Sequence, residues 1–166
     1  MKVVSNSGPL IHLAKISALW LLWNLFDEIV IPVEVKRDVV DIGLALGYDD
    51  AKIIERAISE GKIKVIKYTT KKLKFPGKFR IKKAEIIALL LAKQLNYIFL
   101  CDDDEARRLA RKFGVQVKGS VGIIILAFKH DLITKDAAIK YLNKLKLVMY
   151  LSDDVFSYIM KTLKSD

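Results

Sequence analysis

Short apolar runs alternate with amphipathic segments along the first 120 residues of the chain. Five runs have the length and composition of β-strands: 2–5, 28–31, 62–68, 96–101 and 115–119. The segments between them carry apolar residues at helical spacing and predict helices over 9–16, 18–25, 32–46, 49–60, 81–95 and 103–114. Strands that alternate with helices predict an α/β fold with a mainly parallel central sheet.

The remainder of the chain shows only helical patterns. Helices are predicted over 120–132, 134–145 and 152–163, the last one capped by Ser152. No linker, repeat or low-complexity tract divides the sequence. We therefore predict a single domain over 1–166, with a core at 1–132 and a helical extension at 133–166.

Polar side chains collect where two of the predicted strands end. Ser5, Asn6 and Ser7 follow the first strand, and four consecutive acids at 102–105 follow the run 96–101. Acids at a helix N-terminus also serve as caps, which accounts for one or two of the four. Because chemistry gathers at the carboxyl ends of parallel strands, we expect these residues to contribute to a site.

Two helices carry further candidate carboxylates. Glu85 lies among apolar neighbours and shares a helix face with Leu89, which argues against simple solvent exposure. Asp38 follows Glu34 by four residues, so both lie on one face. From the residues alone, that pair is better explained as a solvated stripe.

The excess positive charge lies in one segment. The chain has a formal net charge of +10, and ten basic residues with no acid lie between Gly61 and Ala84. Such a cluster is typical of polyanion binding, and a solvated lysine-rich loop is the alternative. The candidate nucleic-acid-binding residues are Lys71, Lys72, Lys74, Lys78, Arg80, Lys82 and Lys83.

Several classes of site find no support in the sequence. Cys101 is the single cysteine, so the chain forms no internal disulfide, and no Cys/His metal spacing or phosphate-binding glycine loop occurs. The most apolar stretch, 17–26, is too short to span a bilayer. We expect a cytoplasmic protein with structural roles for His12 and His130. Trp20 and Trp23 are expected in the core, with a homodimer face as the alternative.

Four motifs in order resemble one known family. They are VVSNSGPLIHLAKI, IPVEVKRDV, KKAEIIALLLAK and FLCDDDEARRLARKFGVQVKGSVGII. Together they resemble the PIN-domain proteins, and more closely a prokaryotic PIN-like group whose chains begin with a VSN-x-x-PL-x-x-LAKI pattern. The resemblance runs from the first strand to about Leu132, and the tail LVMYLSDDVFSYIM is also similar.

The resemblance implies a three-layer α/β/α sandwich and a cluster of acids that binds Mg²⁺ or Mn²⁺. Residue by residue, it places the metal ligands at Asn6, Asp38, Glu85, Asp102 and Asp103, and the catalytic carboxylates at Asp38, Glu85 and Asp103. Asn6 stands where most active relatives carry aspartate, and Lys83 stands where relatives often carry a second glutamate. Oxygen ligands of this kind suit hard divalent cations.

The function that the resemblance implies is metal-dependent hydrolysis of RNA, as in the toxins of toxin–antitoxin pairs. RNA and a small antitoxin protein are the expected partners, with no membrane. The alternative is a non-catalytic protein that binds RNA or an antitoxin with a degraded site. A phosphoacceptor receiver-like domain fits poorly, since the first strand ends in Asn6 rather than in aspartate.

Overall fold

A parallel β-sheet runs through the middle of the molecule, which we describe from a computed structural model over residues 1–69 and 81–165. Within these residues the sheet has five strands: β1 (Lys2–Ser5), β2 (Glu28–Pro32), β3 (Lys64–Ile66), β4 (Ile98–Leu100) and β5 (Val117–Lys118). Their order is β3-β2-β1-β4-β5, and every neighbouring pair is parallel. All carboxyl ends therefore lie along one edge.

Helices flank the sheet and complete a three-layer α/β/α sandwich, which confirms the predicted fold class. Before β4 they are α1 (Ser7–Lys15), α2 (Leu21–Leu25), α3 (Val33–Lys36), α4 (Gly43–Ala45), α5 (Asp49–Ser59) and α6 (Lys83–Leu95). After β4 they are α7 (Asp104–Lys112), α8 (Ser120–Lys129), α9 (Lys135–Val148) and α10 (Asp153–Ser165). Among the described segments, every helix is too short or too polar to cross a bilayer.

The core sits on both sides of the central strand β1 and its neighbour β4. Val3 and Val4 of β1 and Phe99 and Leu100 of β4 are fully buried. This explains their apolar composition, because strands covered on both faces lack polar alternation. Burial of such side chains contributes about 1.5–3 kcal/mol each and fixes the relative positions of the strand ends.

One predicted helix differs from expectation. The pattern over 32–46 predicts a continuous α-helix, whereas residues Arg37–Ile42 form a π-helical turn between α3 and α4. The apolar spacing is compatible with either form, so the sequence does not distinguish them. A π turn inserts an extra residue and changes the direction of the side chains that follow. Asp38 lies within this turn.

A polar cluster joins three strands at the opposite, amino-terminal edge of the sheet. The carboxylate of Glu28 accepts hydrogen bonds from Lys64 Nζ at 2.7 Å and from the Tyr97 hydroxyl at 2.5 Å. The Lys64 bond first, and then the Tyr97 bond, hold the pKa of Glu28 below its ordinary value. The same contacts link β2 to β3 and to the start of β4.

Candidate functional site

A cavity of about 940 Å³ opens at the carboxyl edge of the sheet, next to the ends of β1 and β4. One wall is polar and acidic. Its residues come from three separate parts of the chain and are Asn6, Glu85, Asp102, Asp103 and Asp104. The parallel pairing of β1 with β4 accounts for this arrangement, because it places the residues that follow both strands side by side.

Asn6 occupies the floor of this wall. It is 2% exposed, and its backbone N–H donates to Leu100 O at 2.9 Å. Its side-chain amide donates to Glu85 Oε1 at 3.2 Å and to Cys101 Sγ at 3.6 Å. The other side-chain atom, Oδ1, is buried and has no hydrogen-bond partner. A buried oxygen in this condition is costly unless a donor or a cation reaches it.

Glu85 is held in the first turn of α6. Its Oε1 accepts from Asn6, and its Oε2 accepts from the backbone N–H of Lys82 at 3.2 Å. The second bond satisfies one of the free amide groups at the start of the helix. Both bonds are long, and together they orient the carboxylate toward the end of β1.

Asp102 serves mainly as an anchor. Its side chain is 7% exposed and accepts three hydrogen bonds, from the backbone N–H of Ser120 at 2.6 Å, from Ser120 Oγ at 2.5 Å and from His12 Nδ1 at 2.7 Å. Because the chain itself occupies both carboxylate oxygens, Asp102 is the least available of the predicted metal ligands.

Asp103 and Asp104 project at the start of α7. Asp103 caps the helix, with Oδ1 accepting from the Ala106 N–H at 2.8 Å, and it is exposed. Asp104 is also exposed and lies in the first helical turn. The capping role explains part of the acidic run, and one oxygen of Asp103 is left for other contacts.

The thiol of Cys101 lies beneath these carboxylates and is fully buried. Burial raises its pKa from 9.0 to about 12, and the hydrogen bond from Asn6 offsets only part of that shift. Cys101 therefore stays a neutral thiol at physiological pH and contributes an apolar floor rather than a nucleophile.

Three further predicted site residues, Asp38, Lys82 and Lys83, are not among the described residues that line the cavity. Asp38 is half-buried on its π turn. Lys82 and Lys83 are exposed at the start of α6, next to Glu85. The remaining predicted nucleic-acid-binding residues lie outside the described part of the chain: Lys71, Lys72, Lys74, Lys78 and Arg80.

Three residues contribute to the site without having been singled out for it. His12 was expected to be structural, yet it lines the cavity and contacts Asp102. Ser120 begins α8 and is fully buried against the same carboxylate. A Cβ at Gly119 would lie 2.9 Å from Asp102 Oδ1, so a larger residue there would force the anchored carboxylate to shift. The sequence signal for the last two is that the predicted strand 115–119 ends at Gly119 and is followed directly by Ser120.

Comparison with known proteins identifies the family. Residues 2–165 match the sequence model of a protein family that is described as a PIN domain. The chain belongs to the PIN-domain family. This confirms the resemblance stated from the sequence. PIN domains are typically metal-dependent nucleases, and in general they bind RNA and use divalent metal ions.

Two solved structures are similar to this PIN domain. One is a PilT N-terminus domain protein from the hyperthermophilic archaeon Sulfolobus solfataricus P2, with 18% identity and a TM-score of 0.50 over 76% of this chain and 90% of that chain. The other is a domain of a functionally unknown protein from Methanocaldococcus jannaschii DSM 2661, with 24% identity and a TM-score of 0.47 over 71% and 89%. The first supports the fold alone. No curated protein matches the chain.

The donor atoms of this PIN domain suit a divalent cation, although the carboxylates are not gathered around one point. Within 1–69 and 81–165, no three Asp, Glu, His or Cys side chains are grouped as a metal site. Two buried oxygens there lack partners, Asn6 Oδ1 and Glu34 Oε2. Glu34 lies in α3, which begins directly after β2 and packs against α6. Hard divalent cations bind oxygen ligands, so unpartnered buried oxygens at this edge are suitable ligands for one.

Proposed function

We propose that the protein is a divalent-metal-dependent ribonuclease of the PIN type that hydrolyses RNA phosphodiester bonds in the cavity at the carboxyl edge of the sheet. The observation that carries this proposal is the buried Oδ1 of Asn6, which has no partner and lies in a cavity lined by acids. Membership of a family of metal-dependent nucleases supplies the reaction class.

Mg²⁺ or Mn²⁺ would be held mainly by Asn6, Glu85 and Asp103. The first two are hydrogen-bonded to each other and leave Asn6 Oδ1 available, while Asp103 keeps one oxygen outside its cap. Glu34 and Asp38, from the region after β2, are the candidates for a further carboxylate. Asp102 supports the site by fixing α1 and α8, since its oxygens are already engaged.

A divalent cation at this place supplies a water of lowered pKa and offsets the negative charge that grows on the phosphate. The side chains of the protein contribute proton transfer, water orientation and positioning. Glu85 and Asp103 accept protons or orient water by hydrogen bonding, and the Asn6 amide keeps Glu85 in position. Asn6 is neutral, so the site carries one charge fewer than a cluster with aspartate there, and metal binding is expected to be weaker.

In this proposal, basic side chains close to the acids attract the RNA backbone. Lys82 and Lys83 are exposed next to Glu85, and Arg107 and Lys118 line the cavity itself. Together with the basic residues at 71–80 they account for RNA binding in the proposal, because each phosphate contacted by Lys or Arg releases condensed counterions. The excess of basic residues also fits a small acidic antitoxin as partner.

The test is cleavage of single-stranded RNA with Mn²⁺, comparing wild type with Glu85→Gln and Glu105→Gln. Glu105 is a nearby carboxylate on α7 that is not among the described cavity residues, so it provides a matched loss of charge. We expect the cleavage rate of Glu85→Gln to fall at least about a hundredfold, since the substitution removes the charge of a carboxylate that would hold the metal ion. Equal rates in all three proteins would overturn the assignment of the site.

A non-catalytic RNA-binding or antitoxin-binding protein is the second candidate. It is favoured by the absence of a grouped metal site in the described residues and by the neutral Asn6. The same experiment separates the two candidates when RNA binding is measured alongside cleavage. Tight, salt-dependent RNA binding without hydrolysis and without Mn²⁺ uptake by calorimetry would support this second function.

A further inference from the structure

The cavity has a second wall whose chemistry differs from that of the acids. It is formed by apolar side chains of α8, of the last residue of α9 and of the connection to α10, chiefly Val121, Ile125, Val148, Met149, Tyr150 and Leu151. Tyr150 is among these lining residues and is 89% exposed, so its ring is almost entirely open to solvent. Neither metal binding nor phosphate attraction uses such a surface.

The connection that carries Tyr150 is held from both sides. Helix α9 stops at Val148, and Met149 adopts an extended conformation. Lys146 Nζ lies 2.7 Å from Asp153 Oδ1, which joins the last turn of α9 to the first turn of α10. Ser152 Oγ accepts from the Val155 N–H at 3.3 Å. Tyr150 is therefore presented on a short segment whose two ends are fixed, which lowers the entropy lost when a ligand binds.

The two walls together match the alternating chemistry of RNA. Acids that await a cation, together with Arg107 and Lys118, suit a phosphate at one side of the cavity. A phosphate makes no favourable contact with the apolar side chains, whereas a nucleobase has a flat π face that stacks on aromatic rings. Both parts lie in one continuous cavity, so a phosphate and the base attached beside it can be bound at once.

We propose that Tyr150 is a substrate-binding residue that stacks against a nucleobase next to the scissile phosphate. This rests on the proposed ribonuclease function and assigns the residue that contacts the base. In a duplex both faces of each base are covered by its neighbours, so only a single-stranded or looped-out base can meet the Tyr150 ring. Stacking tolerates every base, so cleavage has little sequence preference at this position.

The experiment uses a short single-stranded RNA with one 2-aminopurine, whose fluorescence falls on stacking, and Ca²⁺ in place of Mn²⁺ to measure binding. The variants are Tyr150→Ala, Tyr150→Phe and the matched control Tyr158→Ala. Tyr158 is 73% exposed on α10 and is not among the described cavity residues. Melting temperatures confirm folding, and cleavage with Mn²⁺ is followed in parallel.

We expect Tyr150→Ala to bind about tenfold more weakly and to lose the quenching, as loss of one stacked base predicts. Tyr150→Phe keeps both properties, and Tyr158→Ala behaves as wild type. An RNA with an abasic residue at that position should bind wild type and Tyr150→Ala equally.

The outcomes separate the two proposals. If wild type cleaves RNA and Tyr150→Ala shows unchanged affinity and quenching, stacking is wrong and the nuclease stands. If wild type neither binds nor cleaves RNA, both proposals fail. If Tyr150→Ala keeps its RNA affinity and instead dissociates a dimer in light scattering, the apolar wall is a self-association face and the stacking proposal is overturned.

Discussion

His12 and Asp102 are joined by a hydrogen bond of 2.7 Å between Nδ1 and Oδ2, although 90 residues separate them in the sequence. The bond ties α1 to the end of β4, and the same carboxylate holds the start of α8. Asp102→Ala should therefore lower the free energy of unfolding by about 3–5 kcal/mol, because it leaves buried donors without an acceptor. Urea denaturation measures this. The neighbouring exposed acid provides the control, and Asp104→Ala should cost less than about 1 kcal/mol.

Asn6→Asp tests whether the unpartnered oxygen faces a cation. The variant loses the amide that donates to Glu85 and places a second carboxylate beside it. In chelator we expect a loss of about 1–3 kcal/mol, which added Mn²⁺ should recover by ligand linkage. Thermal melts with and without Mn²⁺ measure both effects. Asn143→Asp, on the exposed face of α9, changes the charge equally and should not respond to Mn²⁺.

Asp103→Asn is the complementary variant. Asparagine caps a helix about as well as aspartate, so the bond to Ala106 is retained while the charge is lost. Its melting temperature should rise less with Mn²⁺ than that of wild type. Identical Mn²⁺ responses in wild type, Asn6→Asp and Asp103→Asn would show that these residues do not share a metal site.

Two glycines next to Asp102 should respond oppositely to alanine. At Gly119 a Cβ would lie 2.9 Å from Asp102 Oδ1 and 2.7 Å from Arg107 Nη1, so the anchored carboxylate must move. We expect Gly119→Ala to cost about 1–3 kcal/mol and to impair cleavage. At Gly8 the nearest atoms are 3.6 Å away, and alanine favours the helix, so Gly8→Ala should be neutral or stabilising by up to about 1 kcal/mol. Chemical denaturation of both variants decides the matter.

The cluster at the amino-terminal edge predicts a pH dependence. The pKa of Glu28 is lowered by the hydrogen bonds from Lys64 and Tyr97, so its stabilising contribution is present above about pH 4.5 and is lost as the pH falls through the folded-state pKa. Glu28→Gln should be less stable than wild type at pH 7, and the difference should shrink under acidic conditions. Glu55→Gln, exposed on α5, should show no such convergence.

The cluster of basic residues between Gly61 and Ala84 leads to a prediction that rests on the sequence alone. Neutralising Lys71, Lys72, Lys74 and Lys78 should weaken RNA binding and reduce the slope of log Kd against log salt concentration, since the slope scales with phosphates contacted. Fluorescence anisotropy across a salt series measures the slope. A matched set of four lysines on the α9–α10 side, at 140, 144, 161 and 164, provides the control. An unchanged slope in the first set would reduce the segment to a solvated loop.

Much of the architecture follows from short-range patterns. Apolar runs and helical spacing predicted the strands and the parallel sheet, and the strand-end rule drew attention to Asn6 and to the acids after Leu100. These predictions succeed because side-chain burial repeats with the period of the element. Asn6 and Glu85 are in direct contact because α1 and α6 both begin at that edge, and the two residues lie at the starts of these helices.

The remaining features depend on tertiary contacts that leave no periodic trace. His12 lies in an apolar helix and looks structural until Asp102 is placed beside it. The π turn that carries Asp38 has the same apolar spacing as an α-helix, so its direction could not be anticipated. Tyr150 lies in the tail that resembles the family, yet its place in the lining of the cavity depends on how α10 docks.

The strand order also sets when the site comes into being during synthesis. β1 is made first and lies in the centre of the sheet, but its partner on one side, β4, ends at Leu100. Until that residue is translated, the N–H of Asn6 lacks its acceptor, and until Ser120 is translated, Asp102 lacks two of its donors. A growing chain on the ribosome thus has no assembled cavity for most of its translation. Under the proposed ribonuclease function, the messenger that encodes this protein is spared attack by the unfinished chain.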